Sequence, residues 1–351
     1  MGQLATAQVV LGCDDLDATI NFFTERLGFR LDAIMPADDP RLAVLTGHGL
    51  RVRLVVGGPA GPGELRLPAP DPTARGTLTA PNGTVVHLVD PDPAMVVPDG
   101  SGTFELTRPE QTESGLGRAD MFYRDLLPTR QNGRFIASHI RIPGGGPVPD
   151  YVHHHRVRFQ LIYCAAGWVR VVYQDQGPPF LLEAGDCVLQ PPGIRHRVLE
   201  SSPGLEVIEL GCPAEHETFV EHELSLPNDG QTGLRYGGQL FVRHRAAGAR
   251  WQPWRSSGWE CRDTGIAAAT DGLAGVRVVR PCDVGVASGP SAAGGEFQFW
   301  YVLAGTATLR RVGEEDETLG TGAAVAVPAA MVHQLVDPSG DLAFLEVTLP
   351  A

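Results

Sequence analysis

The apolar positions of the first ninety residues indicate short strands around a single helix. A weakly alternating apolar run at 5–13 predicts a strand. Apolar residues then recur at helical spacing, at Leu16, Ile20, Phe23 and Leu27. Asp14, Asp15 and Asp17 can cap the start of this helix, and Gly28 ends it. Three further strand-like runs follow, at 30–35, 42–46 and 51–56. The predicted order of this part is therefore β-α-β-β-β.

A second group of strand-like runs begins after residue 117. These runs lie at 136–142, 161–173, 180–183 and 198–211. The chain before them is rich in Pro, Gly, Ser and Thr and has little apolar pattern, which favours a connecting segment. We therefore predict a module at 1–97, a linker at 98–117 and a barrel at 118–225. The acidic stretch 215–223, with His216 and His222, is interpreted as a solvated connecting segment.

The second group of strands is repeated later in the chain, at an offset between 135 and 139 residues. The segments 259–263, 276–280, 297–305 and 322–333 correspond to 122–125, 138–141, 159–167 and 185–196. Gln298 falls on Gln160, and His333 falls on His196. The repeat predicts a second barrel at 226–351. The fold class is then mainly β, with a small α+β module followed along the chain by two barrels.

Three consecutive histidines, His153, His154 and His155, stand near the start of the first repeat. Successive side chains of a strand point to opposite faces, so His153 and His155 point the same way. A third imidazole from a later strand, His196, and the amide of Gln160 can converge with them on one ion. We predict a metal site formed by His153, His155, Gln160 and His196. The alternative is a surface cluster or a set of hydrogen-bonded core histidines.

Two motifs around these residues resemble those of the cupin family, small β-barrels that bind a metal inside. The first family motif has a Gly before His-x-His, then a Glu, then a Gly. Here Gly146 lies one residue further from His153 than in the family, and Gln160 replaces the Glu. The second motif is matched position by position, by Gly185, Pro191, Gly193 and His196. The resemblance implies a bicupin of jelly-roll-type barrels with one divalent ion, which could be Fe, Ni, Mn or Zn.

The second barrel lacks most of this ligand set. Ser291 and Ala293 stand where the first barrel has His153 and His155. His333 and Gln298 alone cannot complete the four or more ligands of a tightly held transition ion. We therefore predict that the second barrel binds no metal and serves stability or the pairing of the barrels.

Residues 1–97 resemble one module of the vicinal oxygen chelate superfamily, which includes glyoxalases and bleomycin-resistance proteins. The resemblance is carried by Asp15-Leu16, Phe22-Phe23 and Leu27-Gly28-Phe29, with 81–88 as the closing strand. The family's metal would use a His where Gln8 stands and a Glu where His87 stands. We predict a structural module without a metal, and we interpret His48 as a turn residue.

Composition narrows the partners and the compartment. The net charge of −13 argues against nucleic acid or an anionic membrane as a partner. Apolar runs stay below the roughly 18 residues of a membrane span, and the N-terminal residues lack a secretory pattern. The six cysteines show no Cys-x-x-Cys spacing, so we expect reduced thiols in a cytoplasmic protein. The sequence contains no lysine, which excludes a lysine Schiff base.

Three imidazoles and an amide would leave the charge of a divalent ion uncompensated, so the site should prefer a substrate with an enolate or carboxylate. Glu200 is the predicted base, because alternation from His196 turns it toward the same interior; a rim ion pair is the alternative. Cys164 should share the face of Gln160 as a small buried hydrophobe. Arg158 and Arg195 are predicted to anchor a substrate carboxylate, although plain surface positions explain them equally well.

Three functions fit these residues. The leading prediction is a metal-dependent oxidoreductase of the dioxygenase kind that acts on a small oxygenated molecule. The second is a redox-neutral isomerase or lyase at the same ion, and the third is a protein that binds or senses a small molecule without catalysis. The fold alone does not choose among them. The expected partner is a small-molecule substrate, and a homodimer stays open.

Overall fold

The computed structural model describes residues 7–26, 28–47, 49–58, 64–69, 71–79, 85–90 and 92–350. Leu27, His48 and the start of the predicted closing strand, 81–84, lie outside these ranges. All six cysteines are free thiols. None of the helices in the described ranges has the length and apolar character needed to span a membrane. Contacts divide the chain into two units: one joins 1–96 with 151–156 and 215–225, and the other joins 97–150, 157–214 and 226–351.

Most of the regular structure is strand. Up to residue 98 the elements are β1 Gln8–Cys13, α1 Leu16–Asn21, β2 Arg30–Met35, β3 Leu42–Gly47, β4 Leu50–Val56, β5 Glu64–Pro68, β6 Gly76–Thr79 and β7 Val85–Val89. From 99 to 225 they are β8 Glu105–Thr107, β9 Ser114–Leu116, β10 Phe122–Asp125, α2 Arg130–Gly133, β11 Ile136–Ile142, β12 Gly146–Pro147, β13 His153–His155, β14 Phe159–Ala166, β15 Trp168–Tyr173, β16 Phe180–Glu183, β17 Cys187–Leu189, β18 His196–Ser201, β19 Leu205–Cys212 and β20 Thr218–Val220. The remaining elements are β21 Arg235–Tyr236, β22 Gln239–Leu240, β23 Val242–His244, β24 Gln252–Pro253, β25 Trp259–Asp263, α3 Ile266–Ala269, β26 Gly275–Pro281, β27 Ser291–Ala292, β28 Phe297–Ala304, β29 Thr306–Arg311, β30 Glu317–Gly320, β31 Ala324–Val327, β32 Val332–Val336 and β33 Ala343–Leu349.

The first unit has the predicted β-α-β-β-β order. The carboxylate of Asp15 caps α1 by accepting a hydrogen bond from the Ala18 backbone N–H at 2.9 Å. A π-helical turn, Phe22–Arg26, continues the helix. In the sheet, β1 lies between β4 and β5, and β2 pairs with β3 and with β20. Leu16 of the helix packs on one face of this sheet, in a core with Leu45 and Leu54.

The second unit contains most of the two predicted barrels, although β13 and β20 are grouped with the first unit. The strand registers of the two barrels agree. In the first barrel, β14 lies between β17 and β19, with Ile162 opposite Glu209. In the second, β28 lies between β31 and β33, with Trp300 opposite Glu346. The repeat in the sequence therefore reflects a repeat in the structure.

The segment predicted as a linker takes part in both barrels. Its strand β8 pairs with β31 of the second barrel, and its strand β9 pairs with β10 of the first. Conversely, β23 from beyond residue 226 pairs with β17 of the first barrel. These additions cover strand edges that would otherwise expose unpaired backbone groups. The predicted linker at 98–117 therefore contains edge strands of both barrels, because polar and small residues can still form edge strands.

The largest apolar core joins the two barrels. Phe159, Leu161 and Tyr163 of β14 belong to it together with Phe297 and Phe299 of β28. The rings of Phe135 and Phe297 stack across this core with centroids 3.8 Å apart. The alternate residues of each strand face the interior of its own barrel.

Replacing Phe297 by Ala should lower the free energy of unfolding of the second unit by about 3–5 kcal/mol, because it leaves a cavity in this shared core. All five tryptophans lie in the second unit, so denaturant unfolding followed by tryptophan fluorescence reports on that unit. Phe22→Ala removes a ring that is 53% exposed in the first unit and should leave the transition unchanged. Equal shifts in the two variants would contradict this role for Phe297.

Candidate metal centre

Strand β13 presents two histidines on one face. His153 and His155 are buried, and their ring centroids lie 5.1 Å apart. Nδ1 of His153 lies 2.8 Å from the Tyr151 carbonyl oxygen, and Nδ1 of His155 lies 2.9 Å from the Thr218 hydroxyl. His154 points the other way and stacks on Phe219. The predicted alternation along this strand is confirmed.

His196 begins β18 directly after the turn of the second motif. Gly193 in that turn has φ of +78°, a conformation that glycine adopts without strain. Nδ1 of His196 lies 3.0 Å from the Ile194 carbonyl oxygen, so this nitrogen carries the proton. Burial lowers the pKa of His196 to about 4, so its imidazole is neutral at neutral pH.

The three imidazoles converge. His153, His155 and His196 each offer one ring nitrogen, and these atoms lie within 4.8 Å of one another. Carbonyl oxygens can only accept, so the Nδ1 atoms of His153 and His196 are protonated and their Nε2 atoms carry the lone pair. The Thr218 hydroxyl can hold His155 in the same tautomer. Such anchoring of the far nitrogen is typical of metal-binding histidines, and the donor set fits a divalent transition ion.

Gln160 lies in β14 on the interior face, and its side chain is buried. Its Nε2 donates a hydrogen bond to Glu209 Oε1 at 2.7 Å. Its Oε1 is buried and, within the described part of the chain, accepts no hydrogen bond. A buried acceptor left over in this way is costly unless a ligand or ion uses it. The amide oxygen therefore fits the predicted ligand role.

Glu209 was missed by the sequence analysis. It places a carboxylate behind the Gln160 amide, so the charge of a bound ion would not be wholly uncompensated. A signal for it existed, because Glu346 is its counterpart in the repeat and also accepts from the corresponding amide, that of Gln298.

Gln190 and His216 were also missed. The Gln190 amide nitrogen lies 2.7 Å from Nε2 of His196, so an ion at that nitrogen would replace this hydrogen bond. His216 is buried, with its ring centroid 5.4 Å from that of His155, so the prediction of a solvated segment is wrong for this residue. His222 is exposed, as expected, and its Nε2 lies 2.6 Å from the Leu31 carbonyl oxygen.

The predicted shared face of Glu200 and His196 is wrong. The register of β18 against β15 shifts by one residue, with Val198 opposite Val171 but Glu200 opposite Arg170. This bulge turns Glu200 outward, where its carboxylate lies 3.5 Å from the Arg170 guanidinium. We therefore do not propose Glu200 as a base.

The two predicted anchors, Arg158 and Arg195, make other contacts. Arg158 bonds Glu296 of the second barrel at 2.7 Å, and Arg134 reaches the other oxygen of the same carboxylate. Nη1 of Arg195 donates to the Gly193 carbonyl oxygen at 3.1 Å. A different arginine acts on the site: Arg118, whose charge lowers the pKa of His196 while the buried Asp150 raises it.

Cys164 shares the interior face of β14, as predicted, and is buried. Burial raises the pKa of its thiol to about 12, which leaves it protonated and unreactive at neutral pH.

Gln8 and His87, the two positions of residues 1–97 where the resemblance expects metal ligands, make other contacts. His87 Nε2 lies 3.0 Å from Glu64 Oε2, and its Nδ1 lies 3.2 Å from the Thr77 hydroxyl. In the strand register, Gln8 of β1 lies opposite Arg51 of β4 and Arg66 of β5. The prediction that this module binds no metal remains to be tested.

Two protein-family models match parts of this chain. Residues 138–208 and 284–348 match the family model of the cupin domain. Residues 5–93 match the model of the glyoxalase/bleomycin resistance protein/dioxygenase superfamily. A comparison with curated proteins gives no significant match.

Solved structures agree in fold. The structure of oxalate decarboxylase from Bacillus subtilis at pH 4.6 is 14% identical, with a TM-score of 0.53 over 72% of this chain and 77% of that one. Another structure of the same enzyme, from work on its Mn(II) centres, is 14% identical, with a TM-score of 0.52 over 70% of this chain and 76% of that one. The prediction of two cupin barrels that follow a glyoxalase-type module along the chain is confirmed.

We expect one divalent ion per chain, lost when His155 or His196 is changed to Ala, because each removes an imidazole from the cluster. Metal content of purified protein measures this. His154→Ala is the matched control, since it removes an imidazole from the opposite face of the same strand, and His87→Ala tests the first unit. Full occupancy in both cluster variants, or loss in either control, would refute the assignment.

Glu209→Gln should weaken metal binding by about tenfold, because it removes the carboxylate charge behind Gln160 while an oxygen remains to accept its hydrogen bond. Competition with a chromogenic chelator measures the affinity. Glu206→Gln is the control on the same strand, where Glu206 bonds His139 instead. An unchanged affinity in Glu209→Gln would show that this charge does not reach the ion.

Proposed function

We propose that this chain, in which a glyoxalase-type domain precedes two cupin domains, is a metal-dependent lyase that acts on small carboxylates in its first barrel. The observation that supports the proposal is the convergence of three ring nitrogens, those of His153, His155 and His196, within 4.8 Å. Three imidazole nitrogens at such distances can bind one metal ion together.

His153, His155 and His196 would hold the ion through their Nε2 atoms, and Gln160 would hold it through Oε1. A divalent ion bound there supplies Lewis-acid polarisation of a substrate carboxylate. The ligands themselves are neutral, so an anionic substrate gains more from this site than a neutral one. Mn is our first choice of ion, because the bicupin decarboxylase of similar fold has Mn(II) centres.

Arg118 would bind and orient the second carboxylate of a substrate. Its side chain is 14% exposed, and Nη1 donates to Asp150 Oδ1 at 2.5 Å. Asp150 also accepts from the Val198 backbone N–H at 2.9 Å, which fixes this ion pair to β18, the strand of His196. This fixed guanidinium places a positive charge near His196, which favours an anionic substrate at the site.

The reaction that suits this arrangement breaks the bond between a carboxylate carbon and its neighbour. Carbon dioxide leaves, and the electron pair that remains on the neighbouring carbon takes up a proton. For the oxalate monoanion the proton comes from its own carboxyl group, and the products are carbon dioxide and formate. The overall step is redox-neutral and consumes no oxygen.

The dioxygenase predicted from the sequence is the competing reaction at the same residues. It would consume one O₂ per turnover. The two solved structures named above are of a decarboxylase, which supports the lyase.

Turnover of oxalate and of a panel of small mono- and dicarboxylates tests the proposal. The Mn(II)-loaded full chain should release carbon dioxide without net O₂ uptake at an oxygen electrode. His155→Ala should lose this activity, and His154→Ala, on the opposite face of β13, should keep it.

Stoichiometric O₂ uptake would replace the lyase with the dioxygenase. Tight binding of a carboxylate with no product, in protein shown to contain its metal, would instead support a binding or sensing protein.

A further inference from the structure

The second barrel contains a pocket of about 570 Å³. This volume is within the usual range for small-molecule sites. Its lining combines apolar, amide and charged groups, among them Trp254, Arg255, Arg277, Phe297, Gln298 and Thr348. The pocket lies in the barrel that has Ser291 and Ala293 where the first barrel has His153 and His155.

A buried carboxylate organises the pocket. Glu346 has a fully buried side chain, and four donors reach it. They are Arg255 Nη1 at 2.7 Å, Trp254 Nε1 at 3.1 Å, Gln298 Nε2 at 3.1 Å and Trp300 Nε1 at 3.2 Å. The network holds Arg255 and Gln298 in fixed orientations at the pocket wall.

The Arg255 side chain is fixed in orientation and remains partly exposed. Its guanidinium lies over the Trp254 ring, 3.9 Å from the centroid, and its side chain is 38% exposed. Glu346 engages Nη1, and a planar guanidinium has further N–H donors in a fixed fork. A second guanidinium, that of Arg277, also lines the pocket, and its Nε lies 3.3 Å from the carboxylate of Asp263, which lines the pocket too. The partly exposed fork of Arg255 is therefore the group that favours a ligand with a carboxylate.

Two buried polar atoms of the lining are unsatisfied. Gln298 Oε1 and Thr348 Oγ1 have no hydrogen-bond partner among the residues that the structure describes. Both residues line the pocket, and they lie opposite each other on β28 and β33. Gln298 is 4% exposed, so its oxygen cannot rely on bulk water. The amide oxygen requires a donor, and the hydroxyl can serve an acceptor.

We propose that the second barrel binds a small hydroxycarboxylate. The ligand carboxylate would bind Arg255, its hydroxyl would donate to Gln298 Oε1, and Thr348 Oγ1 would donate to a further ligand oxygen. The N–H donors of the guanidinium fixed by Glu346 would thus bind the carboxylate that an ion would bind in the first barrel. This site is independent of the lyase proposed above.

Isothermal titration calorimetry with L-malate tests the site, on the full chain as purified and after treatment with a chelator. Binding that survives chelation and is weakened by the changes at Thr348 and Arg255 described below belongs to the second barrel. Succinate lacks the hydroxyl donor and malamide lacks the negative charge. We expect L-malate to bind more tightly than succinate, and malamide to bind weakest.

Two conservative variants separate the site from non-specific binding. Thr348→Val removes only an unpartnered hydroxyl and should weaken L-malate binding about fivefold. Arg255→Lys keeps the charge beside Glu346 but loses the fork, and should weaken it about tenfold. Thr318→Val, an exposed threonine on β30, is the matched control and should bind as the parent does. Thermal unfolding of each variant confirms that it is folded.

The proposal is overturned if the folded, chelator-treated chain binds neither acid in a saturable way. It is also overturned if folded Thr348→Val and Arg255→Lys both bind L-malate as tightly as Thr318→Val. Equal affinities for L-malate and succinate would remove the assignment of the hydroxyl to Gln298.

Discussion

The alternation of side chains along two equivalent strands, β14 and β28, determines the rest of the second unit. One face of each strand supplies the aromatic and aliphatic residues of the core between the barrels. The other face supplies Gln160 to the first interior and Gln298 to the second. A shift of one residue in either strand would exchange core and site, so the packing between the barrels also fixes the position of the two amides.

The two interiors share a framework and differ in what completes it. In each, the amide donates to a glutamate on the neighbouring strand, and a histidine from the second motif bonds a backbone carbonyl through Nδ1. In the first barrel, His153 and His155 join His196 in one cluster. In the second, the Ser291 hydroxyl lies 3.2 Å from His333 Nε2, and the Arg255 guanidinium donates a hydrogen bond to Glu346. The same scaffold thus has a cluster that would bind an ion in one case and a guanidinium in the other.

The sequence predicted features that depend on strand periodicity and on the repeat. The imidazoles of His153, His155 and His196 could be placed because two motifs fix their strands. Glu200 could not, because a bulge is a property of the pairing between β15 and β18 and leaves no mark in a single strand. The edge strand β8 was missed for a similar reason, since its partner β31 lies more than two hundred residues away.

We propose that the first barrel binds its ion through His153, His155, His196 and the Gln160 amide oxygen. Anomalous diffraction from crystals of the Mn(II)-loaded chain locates the ion. We expect one strong peak per chain, about 2.0–2.3 Å from the Nε2 atoms of the three histidines and from Gln160 Oε1. A main peak in the second barrel or in the glyoxalase-type domain, or an ion bound through the Nδ1 atoms, would contradict this assignment.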